Sequence, residues 1–430
     1  MEGIGIVGAG IAGVHLALYL QKHAVPVTLY AEKTAEQQRS GRLPNTAAHW
    51  GNTRAREREL GVNHWDGEMG GKFGNFCFHF YVGVEPPLIF RGDFIEPGIT
   101  IDQRIYLARL LEDFEERGGR VVIGTIQADD LETLSEKHDL VVVSSGRGSL
   151  TQLFPRVPER SPYTQPQRLI CTGIYHGIEQ RDPMGVGLNV SPGHGELFEM
   201  PYFTFDGPQM ALFFELVPGG GLEQLMQIRY DEDPKGFEST ILQALRDHFP
   251  STLERLNTAE FGVTRPQDVL QGSITPTVRR AYARLDNSKF VLAMGDVHVV
   301  NDPLMGQGSN AASHAAFVVG QAIIEDDLAF DQRWCQRTEA RLWDFVGDVT
   351  EWNNYMLQVP SPFGLPVNVV QMLIAASQNK AVADVFADNF RTPGRNWNML
   401  SSPERTIAFL RKFGSESPLL SASEPTAETR

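Results

Sequence analysis

Cysteine is scarce in this chain, and the little there is does not cluster. Cys77, Cys171 and Cys335 are the three among 430 residues, they lie far apart, and they form no CxxC pair. That spacing excludes a disulfide framework and a thiolate metal site, and it points to a reducing, cytoplasmic compartment. Long hydrophobic runs are missing too. No apolar stretch reaches the ~18–20 residues that cross a bilayer, so no membrane span is expected. No basic segment precedes the first apolar residues, and glycines break them, so they do not read as a signal peptide. Positive charge is in deficit. Lys and Arg total 38 against 53 Asp and Glu, a net charge of −15, which argues against nucleic acid or an anionic membrane as partner. Neither an internal repeat nor a metal-ligand spacing is present, so no metal is expected. What remains is an ordinary enzyme-like composition, long enough for two or three domains and a large core.

The first thirteen residues carry the strongest signal. The apolar run Ile4-Gly5-Ile6-Val7 enters Gly8-Ala9-Gly10-Ile11-Ala12-Gly13, and Val14 to Leu20 continues with helix formers. Gly8 allows a tight strand-to-helix turn, Gly10 lets a pyrophosphate approach the backbone, and Gly13 lets the helix pack close to the sheet. The helix start offers free N–H groups and a partial positive charge to phosphates. A second strand, Val25 to Tyr30, ends at Ala31-Glu32, which places an acid where a ribose would present its hydroxyls. Strand, glycines, helix, strand and acid together predict a dinucleotide site.

Further along, the pattern is α/β up to about residue 150. It comprises an alternating aromatic strand, Phe73 to Tyr81, an amphipathic helix, Ile101 to Arg117, strands at Arg120 to Thr125 and Leu140 to Ser144, and a short helix, Leu131 to Lys137. Residues 165–290 then hold strand-like runs at Arg168 to Tyr175, Leu197 to Phe205, Gln209 to Leu216 and Met226 to Tyr230, with one helix, Phe237 to His248. Phe290 to Met294 returns as a buried strand, and Ala311 to Glu325 is a helix of small residues. From Trp334 to Phe413 the pattern is helical, with breaks at Pro360 to Pro366 and Thr392 to Gly394. The expected fold is α/β (α+β). A discontinuous Rossmann-like nucleotide domain (1–45, 99–155, 288–330) carries an inserted antiparallel β-sheet substrate domain (46–98, 156–287). A helical C-terminal region (331–414) and a disordered tail (415–430) follow.

A second motif, Gly295-Asp296 followed by Asp302-Pro303-Leu304-Met305-Gly306-Gln307-Gly308-Ser309-Asn310, resembles flavin-dependent monooxygenases of the aromatic-hydroxylase fold. That resemblance makes the dinucleotide FAD. It implies that Asp296 bonds a ribityl chain, that the backbone at Gly306 and Gly308 faces the isoalloxazine edge, and that the helix start from Gly308 through Ser309 to Asn310 stabilises charge on reduced flavin. Arg104 matches an arginine of that fold that faces the FAD pyrophosphate, and Arg42 is a second candidate. Lys33 and Gly146 complete the expected cofactor set.

Within that fold the chain resembles the styrene monooxygenase and indole monooxygenase family over almost its whole length. The carriers are Gly5 to Gly10, Asn45-Thr46 with His49, Ser191 to Leu197, Asp231 to Pro234, Asp268 to Gly272, Asp302 to Asn310 and Ser401 to Arg405. The family implies a two-component oxygenase. A separate NADH-dependent flavin reductase supplies reduced FAD as a diffusible co-substrate, and oxygen adds to give a flavin C4a-(hydro)peroxide. One oxygen atom passes to the double bond of a small aromatic substrate such as styrene or indole. It also implies a homodimer. Asn45, Thr46, Pro303 and Gly306 map to the reacting centre. Leu43, Ala47, His49, Phe213, Leu304 and Met305 map to the substrate pocket. Lys72 and Asn75 stand where styrene-type members carry an aromatic residue and a histidine, and Lys72 is expected to face solvent. A self-sufficient NAD(P)H-dependent aromatic hydroxylase and a non-catalytic flavin carrier are the competing readings.

Overall fold

The computed structural model describes residues 3–81, 87–326, 329–357 and 365–415. Apart from Ser415, the tail expected to be disordered lies outside them, as does most of the Pro360 to Pro366 break. Among the described residues no helix is long and apolar enough to cross a membrane.

The opening motif folds as strand Ile4–Val7, helix Ile11–Lys22 and strand Val27–Ala31. These join a six-stranded sheet in the order Tyr282–Arg284, Phe290–Ala293, Leu140–Val143, Ile4–Val7, Val27–Ala31, Arg120–Ile123. All neighbours are parallel except the hairpin at the Tyr282 edge. The central strands Ile4–Val7 and Leu140–Val143 are wholly buried, which is why they read as unbroken apolar runs rather than alternating ones. Helices Ile11–Lys22, Gln103–Glu116 and Gly308–Glu325 bury their apolar residues with this sheet in one core.

A second sheet has nine strands, and Thr277–Val278 pairs with Val299–Val300 in a small third one. The nine-stranded sheet runs in the order Gly262–Val263, Leu169–His176, Gly207–Leu216, Gly195–Thr204, Val186–Ser191, Lys72–Phe80, Leu88–Thr100, Ala48–His49, with Val269–Ser273 also on Leu169–His176. It is antiparallel except where Lys72–Phe80 runs parallel to Val186–Ser191. The sequence pattern had not isolated Val186–Ser191, whose six residues are all buried and so do not alternate.

One expected strand is absent. Met226 to Tyr230 forms no ladder, because its neighbourhood is spoken for by side chains and by the next helix. Gln271 Nε2 donates to the Leu225 and Ile228 carbonyls at 2.6 and 2.9 Å. The Arg229 carbonyl accepts from Asp233 N–H at 3.0 Å, and Asp233 caps helix Pro234–His248.

The C-terminal helices close the long strand Leu88–Thr100. Asp384 accepts from Asp93 N–H at 2.7 Å and Asp388 from Ile95 N–H at 2.9 Å. Two carboxylates of helix Lys380–Asp388 thus occupy N–H groups that an exposed strand would offer to another chain.

Candidate functional site

One cavity of about 550 Å³ extends from the end of strand Ile4–Val7 to the nine-stranded sheet. Its first part is the glycine turn. Gly8 sits at φ +109°, and a Cβ there would lie 2.6 Å from the Ser144 backbone. A Cβ on Gly13 would lie 1.9 Å from the Gly8 carbonyl oxygen. These two glycines serve close packing, and Gly13 is not on the wall. Gly10 is different. A Cβ there meets nothing within 4 Å, and Gly8, Ala9, Gly10, Ile11 and Ala12 all line the cavity. Gly10 also N-caps helix Ile11–Lys22 with no side-chain capping bond, so the free N–H groups of its first turn are left for an anion. Glu32, Lys33 and Gly146 line the same stretch. Open space above Gly10, an uncapped helix start and an acid at the end of the second strand fit a dinucleotide.

The second motif forms another wall. Asp296, Asp302, Pro303, Met305, Gly306, Gly308 and Ser309 line the cavity. Asp296 is open to that space yet enclosed by protein. Burial raises its carboxyl above the usual range, and Arg147 pulls it back. A short turn, Pro303–Met305, ends at Gly306 in the left-handed region, φ +60°, and helix Gly308–Glu325 starts directly after it.

Asn45, Thr46 and Ala47 line the cavity alongside Trp50. Asn310 stands behind the wall rather than on it, which corrects its assignment as a cofactor contact. Its side chain donates to the Ala48 and Gly306 carbonyls at 2.9 and 3.1 Å and accepts from Trp50 N–H and the Thr53 hydroxyl at 3.0 and 2.7 Å. It therefore ties the Asn45 segment to the Pro303 turn. Trp50 Nε1 reinforces the tie by donating to the Gly306 carbonyl at 3.3 Å.

Five further expectations are corrected. Arg104 is buried and off the wall. Burial works against its charge, but Asp102 and Asp268 hold it as an ion pair. Arg42 pairs with Asp231 at the surface. Leu43 is buried in the core away from the cavity, and Leu304 lines a separate small apolar pocket. His49 is fully buried. Its Nδ1 meets Glu57 Oε1 at 2.7 Å, and its ring packs edge-on against Tyr106 at 4.6 Å. Burial alone raises the Glu57 carboxyl, but His49, His15 and Tyr106 more than offset it and the carboxyl is lowered. Lys72 is half-buried, Asn75 is buried, and neither lines the cavity.

The apolar end was the part least visible in the sequence. Phe213 was expected there, but Trp50, Phe76, Phe198, Met200 and Phe390 join it. Phe76 belongs to the aromatic run whose alternation signalled a strand. Phe390 comes from the C-terminal helices, and no local pattern marks it. Among the described residues no group of three His, Cys, Asp or Glu is placed to hold a metal ion.

Known proteins resemble this chain over most of its length. A family model described as "Styrene monooxygenase A putative substrate binding domain" matches residues 146–255. The styrene monooxygenase StyA of Pseudomonas fluorescens is 41% identical over 403 residues, covering 94% of this chain and 96% of that protein. The StyA of a Pseudomonas sp. is 40% identical over 411 residues, covering 95% and 98%. Among solved structures, the flavin-dependent brominase Bmp2 superposes with a TM-score of 0.67 at 14% identity, over 96% of this chain and 99% of that one. That last likeness bears on the fold alone, which is the α/β fold of flavin-dependent enzymes.

Proposed function

The chain belongs to the styrene monooxygenase family and is a flavin-dependent monooxygenase; we propose that it is the oxygenase of a two-component system that epoxidises a small aromatic alkene such as styrene or indole. The flavin is FAD, taken up in reduced form from a separate NADH-dependent reductase. The observation that carries this reading is the continuity of one cavity. It begins at a phosphate cradle over Gly10 and ends in an aromatic chamber formed by Phe76, Phe198, Phe213 and Phe390.

Gly8 to Ala12 hold the pyrophosphate, Glu32 the adenosine ribose and Asp296 the ribityl chain. Asn45, Thr46, Pro303 and the Gly306 backbone stand at the flavin ring. Bound there, reduced FAD supplies the activation of oxygen. The rest falls to the chain. The aromatic chamber takes the alkene out of water and holds it by area and shape, at ~25 cal/mol per Å² of apolar surface buried. The same walls keep water from the reacting centre. No acid–base triad is needed, and the aromatic rings together with Met200, Met305 and Val186 give the chamber an apolar wall.

The test is a coupled assay with FAD, NADH, oxygen and styrene or indole, with and without an unrelated flavin reductase. We expect epoxide, or indigo from indole, only when the reductase is present. Product without reductase would instead identify a self-sufficient hydroxylase.

A further inference from the structure

Behind the Pro303 turn lies a buried acid cluster that the reading above leaves unused. Glu215, on strand Gly207–Leu216, is 0% exposed, and Asp302, next to Pro303, is 3% exposed. The two carboxyls interact, Asp302 raising Glu215, and Glu215 Oε1, Glu215 Oε2 and Asp302 Oδ2 are all buried without a hydrogen-bond partner among the described residues. Glu196 is the direct cross-strand partner of Glu215, and Arg168 donates to both Glu196 oxygens at 2.8 and 2.9 Å. Tyr163 is a further titratable group near Asp302.

Charge counting decides the protonation. Arg168 balances Glu196, which leaves Glu215 and Asp302 to each other. Among the described residues no N–H or O–H donor reaches either Glu215 oxygen or Asp302 Oδ2. Two interacting carboxylates in a dry site do not both ionise, so the pair keeps one proton. Burial raises both groups. Glu215 is held well above the usual range and Asp302 at about 6, with Arg168 and the Leu304 N–H drawing Asp302 back.

Asp302 transmits this to the cavity wall. Its Oδ1 accepts from Leu304 N–H at 3.2 Å. The Asn353 amide, with its nitrogen toward the Asp302 carbonyl and its oxygen toward the Asp302 N–H, sits 3.1 Å from each. The next residue is Pro303, and Asp302 itself lines the cavity.

We propose that Glu215 is a positioning residue: as the neutral acid it donates to Asp302 Oδ2, and this one shared proton fixes the Pro303–Gly306 turn in the cavity wall. The proton belongs to the chain alone. Only the second readout below rests on the flavin reading.

The first readout is the melting temperature of the flavin-free protein from pH 5 to 9, wild type against Glu215→Gln, whose amide donates at every pH. A carboxyl raised in the folded state contributes fully below the ordinary carboxyl range and loses that contribution as pH climbs toward the folded value. The wild type therefore falls relative to Glu215→Gln as pH rises, the gap moving by about 2–4 °C. A gap independent of pH overturns the proposal. The second readout is FAD binding by fluorescence. Wild-type affinity declines about tenfold between pH 6 and 9 relative to Glu215→Gln. A pH-dependent melting gap without that decline overturns the positioning role. Wild type that binds neither oxidised FAD nor, under anaerobic conditions, reduced FAD at any pH overturns the flavin reading instead and leaves the first readout standing. Should Glu215→Gln fail to fold, Asp302→Asn replaces it, since it also removes the second charge and is expected to flatten the same profile.

Discussion

A side chain added at Gly10 and one added at Gly13 test two different things, although the positions are three residues apart. The Cβ of Gly10→Val enters open cavity, and its backbone is already extended, φ −74° and ψ −179°, which valine accepts. We expect that variant to melt within about 2 °C of wild type and to lose FAD affinity at least tenfold, about 1.4 kcal/mol. Fluorescence titration measures the second and a thermal scan the first. Gly13→Val instead drives its Cβ into the Gly8 carbonyl oxygen, and we expect about 3 kcal/mol of destabilisation, seen as a lower urea midpoint. The same scale explains why Arg104 does not serve as a phosphate ligand here. A guanidinium buried between Asp102 and Asp268 already has its charge met, and freeing it would leave two carboxylates buried and unpaired.

Elements meet at the site through few contacts, and Asn310 makes the most consequential of them. It stands in the first turn of helix Gly308–Glu325 and bonds a segment some 260 residues earlier in the chain. Asn310→Ala removes those bonds and leaves the buried Trp50 N–H without its acceptor. We expect a loss of about 2–3 kcal/mol in urea unfolding, together with weaker flavin binding as the Asn45 and Pro303 walls separate. Asn310→Asp keeps the acceptor for Trp50 and Thr53 but sets a carboxylate against the Ala48 and Gly306 carbonyls. It should therefore bind flavin more weakly than Asn310→Ala, by the same titration. The helix Lys380–Asp388 plays a comparable part at the long strand Leu88–Thr100, where side-chain carboxylates replace a missing neighbour strand.

Across the whole molecule, buried histidines set the response to acid. Burial lowers His15 to about 4, with His49 and Arg56 adding to the drop and Glu57 opposing it. Burial lowers His298 to about 3, helped by Arg160 and Arg280. Both stay neutral in the folded chain, while the unfolded chain takes up their protons below pH 6.5. Stability is therefore intact above pH 6.5 and falls as pH drops from there to about 4, by about 1.4 kcal/mol per unit for each group. Melting temperature against pH should show that decline. His15→Gln and His298→Gln should each reduce its slope, and an unchanged slope would remove these histidines from the account. His15 touches the Ser313 hydroxyl and Tyr106, so its protonation loosens the packing of three helices at once.

The glycine-turn end of the cavity was legible because it is local. A strand, three glycines and a helix start fall within thirteen residues, and backbone sterics allow few other residues at Gly8 or Gly13. The Pro303 to Gly308 loop was legible for the same reason. The tertiary structure alone decided which side chains face the cavity. His49 and Leu43 have the right neighbours in sequence, but on the short strand Ala48–His49 successive side chains point to opposite faces, so His49 meets Glu57 instead, while Leu43, outside any strand, packs into the core. Phe390 and Glu215 reach the site from distant segments whose local sequence carries no trace of it. The sequence thus specified the turns, where backbone geometry restricts the residue. Packing specified the chamber, where any large apolar residue fits the local pattern and only long-range contacts assign its place.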